Sequence, residues 1–102
     1  MDAWTMQKAL EDIPGEDMEF EDHEGGRIKV LSNGEHIATL GPGRLMALDQ
    51  EAFLLSYPDS NEEWRGSWAS ITAGLAVFRM TGDWYASGEA KSAVTWVENR
   101  TK

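Results

Sequence analysis

Asn33-Gly34 lies between two β-rich runs, Arg27-Ile-Lys-Val-Leu31 before it and residues 35–40 after it. A two-residue type I′ turn needs positive φ at both central positions, and Asn-Gly adopts that geometry most readily, so the dipeptide predicts a tight hairpin. The loop length then sets the register, with Val30 facing Ile37 and Ile28 facing Thr39. Upstream, Met18 and Phe20 alternate with Glu19 and Glu21, and Glu24-Gly25-Gly26 separates them from Arg27. A three-residue loop there puts Phe20 across from Val30 and Glu21 across from Lys29. Met18 and Phe20 then face the core, while Glu19, Glu21 and His23 lie on the outer face. The expected sheet is a three-stranded antiparallel meander over residues 18–40.

Helical periodicity flanks this sheet. Ala3, Met6, Leu10 and Ile13 recur at steps of three, four and three before Pro14-Gly15, which predicts a short N-terminal helix. Gly41-Pro42-Gly43 predicts the end of the sheet. Leu45, Leu48, Ala52 and Leu55 keep helical spacing up to Tyr57-Pro58, with a strand over residues 44–48 as the competing reading. Ser60 and Glu63 have capping-box form directly ahead of Trp64, Trp68, Ile71, Leu75 and Phe78, the clearest periodic signal in the chain. That helix is expected to reach Met80 and stop at Thr81-Gly82-Asp83. Gly66 and Gly74 inside it each cost about 1 kcal/mol relative to Ala, so they mark places of close packing. Ser87 is the expected cap of a final helix with Ala90, Ala93, Val94 and Val97 inward. At 102 residues and 41% apolar content the chain suits one α+β domain, residues 1–102, with two to three C-terminal helices on one face of the sheet.

Charge is distributed unevenly along the chain. Residues 11–24 read EDIPGEDMEFEDHE, eight carboxylates of fourteen with no Lys or Arg. Residues 1–24 hold nine acids and one base, residues 25–63 six and three, and residues 64–102 three and five, which sum to the net −9. Such polarity speaks of partners rather than fold. Anionic lipid and nucleic acid are both repelled by the acidic part, so direct nucleic-acid binding is disfavoured and no membrane partner is expected. The absence of cysteine excludes a disulfide framework and a thiolate metal site. There is no run of about 18 apolar residues to cross a bilayer. The start, MDAWTMQKALEDI, lacks the basic and apolar blocks of a signal peptide, so a soluble cytoplasmic protein is expected.

No catalytic signature accompanies the charge. There is no thiol nucleophile and no Gly-x-Ser-x-Gly elbow, and neither His23 nor His36 sits beside a Ser and an acid in a recognisable arrangement. Gly41-Pro42-Gly43-Arg44 lacks both the P-loop Lys and the dinucleotide spacing. Asp22, His23, Glu24 and His36 could approach one another if the hairpins pair as expected, but the EF-hand order is missing. The expectation is therefore no enzyme, no cofactor and no dedicated metal site.

Two surfaces remain as binding candidates. The first is the acidic segment, through Glu16, Asp17, Glu19, Glu21, Asp22 and Glu24. It serves as a solvated face in one reading and as an electrostatic dock for a basic partner in another. Carboxylates on alternate strand positions stand about 6.8 Å apart, twice the strand rise, a spacing comparable with that of charges along one nucleic-acid strand. The second is Trp84-Tyr85, which follows a Gly-Asp turn and reads either as an exposed aromatic pair of the kind enriched at interfaces or as a loop aromatic closing the core. Trp64 and Trp68 belong to the helical core stripe.

A small acidic chain without cysteine or catalytic motif resembles, in general character, the nucleic-acid-mimicking inhibitors of phages and mobile elements, including anti-CRISPR and anti-restriction proteins. The likeness is one of composition and places no motif residue by residue. It implies a non-enzymatic inhibitor that blocks a basic surface of a nucleic-acid-processing protein. An immunity protein or antitoxin neutralising a basic toxin uses the same electrostatics. In a third reading, a regulatory domain binds through its helical aromatic surface and the acids only maintain solubility.

Overall fold

Among the described residues, five strands follow one another in chain order across a single antiparallel sheet, β1 Met18–His23, β2 Arg27–Ser32, β3 Glu35–Leu45, β4 Gln50–Ser56 and β5 Glu63–Gly66. Helix α1, Ala3–Leu10, precedes the sheet, and α2, Trp68–Thr81, and α3, Trp84–Arg100, follow it. The computed structural model describes residues 2–45, 50–57 and 63–100. The α+β class is as expected; the sheet is larger by two strands.

The first hairpin has the expected register, with Phe20 opposite Val30 and Glu21 opposite Lys29. Its loop, Glu24–Gly26, makes one 3₁₀ turn, with Gly25 and Gly26 at φ 72° and 74°. The second hairpin turns at Asn33 and Gly34, both at positive φ as a type I′ turn requires. Its register, however, departs from expectation: Val30 faces Ala38 and Ile28 faces Leu40, because the pairing shifts between Val30 and Leu31. One extra residue in β3 makes a β-bulge, which puts Ala38 and Leu40 on the core face beside Val30 and Ile28.

Gly41-Pro42-Gly43 does not end the sheet. β3 continues through it to Leu45, with Pro42 opposite Phe53. Its pairing with β2 ends at Leu40, so the proline sits where β3 has a strand on one side only and no ladder bond to a second neighbour is lost. Where a helix is expected over residues 45–55, residues 50–55 are instead in β4, in which Leu55 is fully buried and Phe53 packs edge-on against Trp68. Phe53-Leu54-Leu55 is apolar at every position, so helical and strand periods fit it equally. Leu48 and Ser60 lie outside the described residues. Backbone of residues 44 and 45 is in a strand, in line with the competing reading for that stretch.

The helix expected from Trp64 begins at Trp68. Its cap is Ser67, whose hydroxyl accepts from the Ser70 N–H at 3.2 Å. Glu63 is not in a capping box but opens β5, and Trp64 reaches the core from a strand, opposite Leu55. Gly66 permits the abrupt strand-to-helix passage, since a Cβ there would lie 2.2 Å from Ser70 Oγ. α2 ends as expected, with Gly82 in the left-handed region and its N–H on the Phe78 carbonyl.

α3 starts three residues before the expected cap. The Asp83 carboxylate accepts from the Tyr85 N–H at 2.9 Å, and Ser87 is buried in the first turns. Gly74 explains why: a Cβ on it would come within 3.2 Å of the Ser87 carbonyl, so α2 and α3 cross at small residues. Ala93 and Val97, expected inward, are exposed.

Met6 and Leu10 of α1, the inward side chains of β1 to β4, and Ile71, Leu75 and Phe78 of α2 form one core between the helices and one sheet face. α1 lies along β1, α2 over β4 and β5, and α3 outside α2 beyond the β5 edge.

Candidate functional site

The acid-rich residues 2–24 fold as α1, its connecting turn and β1, which together form one edge of the sheet. Side-chain hydrogen bonds join the two elements. The Gln7 carboxamide donates to the Met18 carbonyl at 3.3 Å and accepts from the Phe20 N–H at 3.2 Å, as a neighbouring strand would. Asp22 Oδ1 accepts from the Ala3 N–H at 3.0 Å, satisfying one of the donors that every helix leaves open at its start. Asp2, the α1 cap, accepts from the Thr5 N–H and the Thr5 hydroxyl, both at 2.8 Å. Those two bonds, the backbone one foremost, hold the Asp2 carboxyl below its ordinary value.

The connecting turn is fastened to the far end of α2. Glu16 N–H donates to the Arg79 carbonyl at 2.7 Å, and Arg79 Nε donates to the Ile13 carbonyl. Gly15, at φ 137°, packs so closely on this helix end that a Cβ would overlap the Arg79 carbonyl oxygen. The Glu16 carboxylate accepts from the Ser32 hydroxyl at 2.8 Å.

The six acidic candidates therefore divide. Glu16 and Asp22 are committed to hydrogen bonds within the fold, whereas Asp17, Glu19, Glu21 and Glu24 extend exposed carboxylates from the edge. Asp17 and Glu24 take part through their carbonyls only, which accept from the Asn33 N–H at 2.8 Å and from Arg27 Nε at 2.9 Å. Glu19 and Glu21 stand on the sheet face away from the helices, opposite Leu31 and Lys29. Gln7 and Arg79 organise this edge without any local sequence signal.

The acidity does not spread over the open sheet face. Pairing sets Glu21, Lys29, Thr39, Ser56 and Glu63 in one row, and Arg27 and Arg65 belong to the next. Among the described residues that face carries Glu19, Glu21 and Glu63 against Arg27, Lys29 and Arg65, and is balanced. The negative surface is a ridge along β1 and its two ends. At the opposite edge, Lys91 of α3 donates to the Arg65 carbonyl of β5 at 3.1 Å, and burial holds its ammonium below the ordinary value. Helix side chains thus occupy both edges of the sheet.

The Trp84-Tyr85 pair is not an exposed pair. Trp84 stacks on Phe78 at 4.0 Å between ring centroids and meets Tyr57 and Trp64 edge-on, packed against the core, while Tyr85 alone faces outward. His23 and His36 lie at opposite ends of the first three strands, opposite Arg27 and Leu31, so His36 does not join Asp22, His23 and Glu24. Among the described residues no three His, Asp or Glu side chains gather as metal ligands, and no helix is long and apolar enough to cross a membrane.

No family model, curated protein or solved structure matches this chain.

Proposed function

We propose that this chain is a non-enzymatic acidic binding protein whose α1–β1 edge docks on a basic surface of a nucleic-acid-processing protein and blocks it. The observation that carries this reading is the mounting of the acids. Nine acids and one base in residues 1–24 occupy a single sheet edge; the bonds of Gln7 and Asp22 lock its helix to its strand, and those of Glu16 with Ser32 and Arg79 tie its turn to the rest of the fold. A fixed array of charge loses less entropy on docking than a loose acidic tail and steers encounter with a positive surface. The one cation of this region, Lys8, is already engaged by Glu11 at 3.3 Å. Surfaces basic enough to match such an edge are those that neutralise phosphates. With Glu19 and Glu21 on alternate positions of one strand, about 6.8 Å apart, the edge presents the beginning of a phosphate-like row.

The test is capture of a partner from extract of the source cell, followed by competition. Duplex DNA in excess should release the partner. A variant carrying Asp17→Lys, Glu19→Lys and Glu21→Gln should capture none while keeping its circular dichroism spectrum. Gln is chosen at position 21 because Lys29 stands opposite and a second Lys there would add like-charge repulsion. A partner retained by the triple variant, or bound together with DNA, contradicts the reading.

A further inference from the structure

α3 buries only Ser87 fully, and large apolar side chains stand exposed on it. Tyr85, Trp96 and Val97 are 75%, 60% and 52% exposed. At 100° per residue Tyr85, Glu89, Ser92, Trp96 and Arg100 fall on one stripe. The two halves of that stripe differ in relief. In the first half, Tyr85, Gly88, Glu89 and Ser92 line an open groove of about 680 Å³, floored on its inner side by Trp64 and Trp84. In the second half, the Trp96 indole stands out with the Arg100 guanidinium 4.9 Å from its ring centre.

From this relief we infer that α3 is a self-association surface, which pairs antiparallel with α3 of a second copy so that each Trp96 enters the groove of the other. The groove residues have the i, i+3, i+4, i+7 spacing of a hole that receives one knob. A two-fold axis passing near Ser92 and Ala93 brings the Trp96 of each copy to Gly88 and Glu89 of the other. Arg100 of each then lies within reach of the other's Tyr85 and Glu89. Hole and knob sit on one helix, so the contact is isologous and closes at two copies. Charge favours the same arrangement: Glu89 and Arg100 form two opposite-sign pairs. Residues 64–102 carry three acids and five bases, so copies of a −9 chain meet at their least acidic part. The acidic β1 edges lie at the far side of each sheet and point away from the contact. One helix per partner is a small interface, which makes the dimer concentration-dependent.

Sedimentation of the full chain from about 1 µM to about 1 mM should show its mass rising from one copy to two. Trp96→Ala should remain monomeric throughout. So should Gly88→Gln, which fills the groove; its Cβ meets Trp64 at an ordinary 3.7 Å and Gln favours helix over Gly, so the fold is kept. Glu89→Arg and Arg100→Glu alone should each weaken association at least tenfold, and the two together should restore it. A chain that stays monomeric to the highest concentration overturns the inference. A dimer indifferent to Gly88→Gln overturns it, as does a double charge exchange that associates no better than the single ones.

Discussion

The Asp22 carboxylate accepts a hydrogen bond from the Ala3 backbone N–H at 3.0 Å, so a residue of the acidic strand caps the helix lying beside it. Asp22→Ala leaves that helix-end donor unpaired and removes a charge favourable to the helix dipole. It should lower stability by about 1 kcal/mol. Asp22→Asn, which keeps an acceptor, should lose less. Urea unfolding of the three proteins checks this ordering.

Gln7 completes the edge of β1 with one donor and one acceptor. Gln7→Ala should cost about 1 to 2 kcal/mol for two hydrogen bonds and leave the Met18 carbonyl and Phe20 N–H open to another strand. Light scattering at high concentration should therefore rise for this variant, while it stays flat for the unchanged chain.

Gly15 has no room for a side chain. Its left-handed φ of 137° and its contact with the end of α2 predict that Gly15→Ala loses more than about 3 kcal/mol. Gly26, also at positive φ but with nothing within 4 Å of its Cβ position, should lose only about 1 kcal/mol on the same change. Thermal unfolding of the two variants separates contact from backbone strain.

Much of the first hairpin is legible in the sequence because two local rules agree there. The Gly25-Gly26 loop and the Met18, Phe20 alternation both require Phe20 opposite Val30, and that pairing is observed. The later errors share a physical cause, since tertiary context overrode a local pattern. The bulge in β3 is selected by the fit of Ala38 and Leu40 into the core, which Asn33-Gly34 cannot report. Pro42 reads as a sheet breaker unless β2 is known to stop short of it. Trp64 keeps helical spacing with Trp68 although it arrives from a strand. For the acidic edge, the acids are visible in the sequence, but the division between Glu16 and Asp22, which hold the fold, and Asp17, Glu19, Glu21 and Glu24, which face outward, depends on partners distant in the chain.

Acid should weaken the N-terminal cap. The Asp2 carboxyl titrates below its ordinary value of 3.8 in the folded chain, because the Thr5 N–H and hydroxyl favour its ionised form. A lowered folded value contributes stability that is present above the unfolded value and disappears as pH falls through the folded one. Stability should thus decline below pH 3.8 with a component that Asp2→Asn lacks, measured as the difference between their urea midpoints across that window.

Recognition of basic surfaces is proposed to rest on the fixed acidic edge and not on diffuse negative charge. Amide chemical-shift mapping of the full chain during titration with an arginine-rich peptide tests it most directly. Shifts should concentrate at residues 17–24 and the adjoining α1, fade as salt rises and be absent in the Asp17→Lys, Glu19→Lys, Glu21→Gln variant. Shifts centred on α3, or unchanged in that variant, would contradict it.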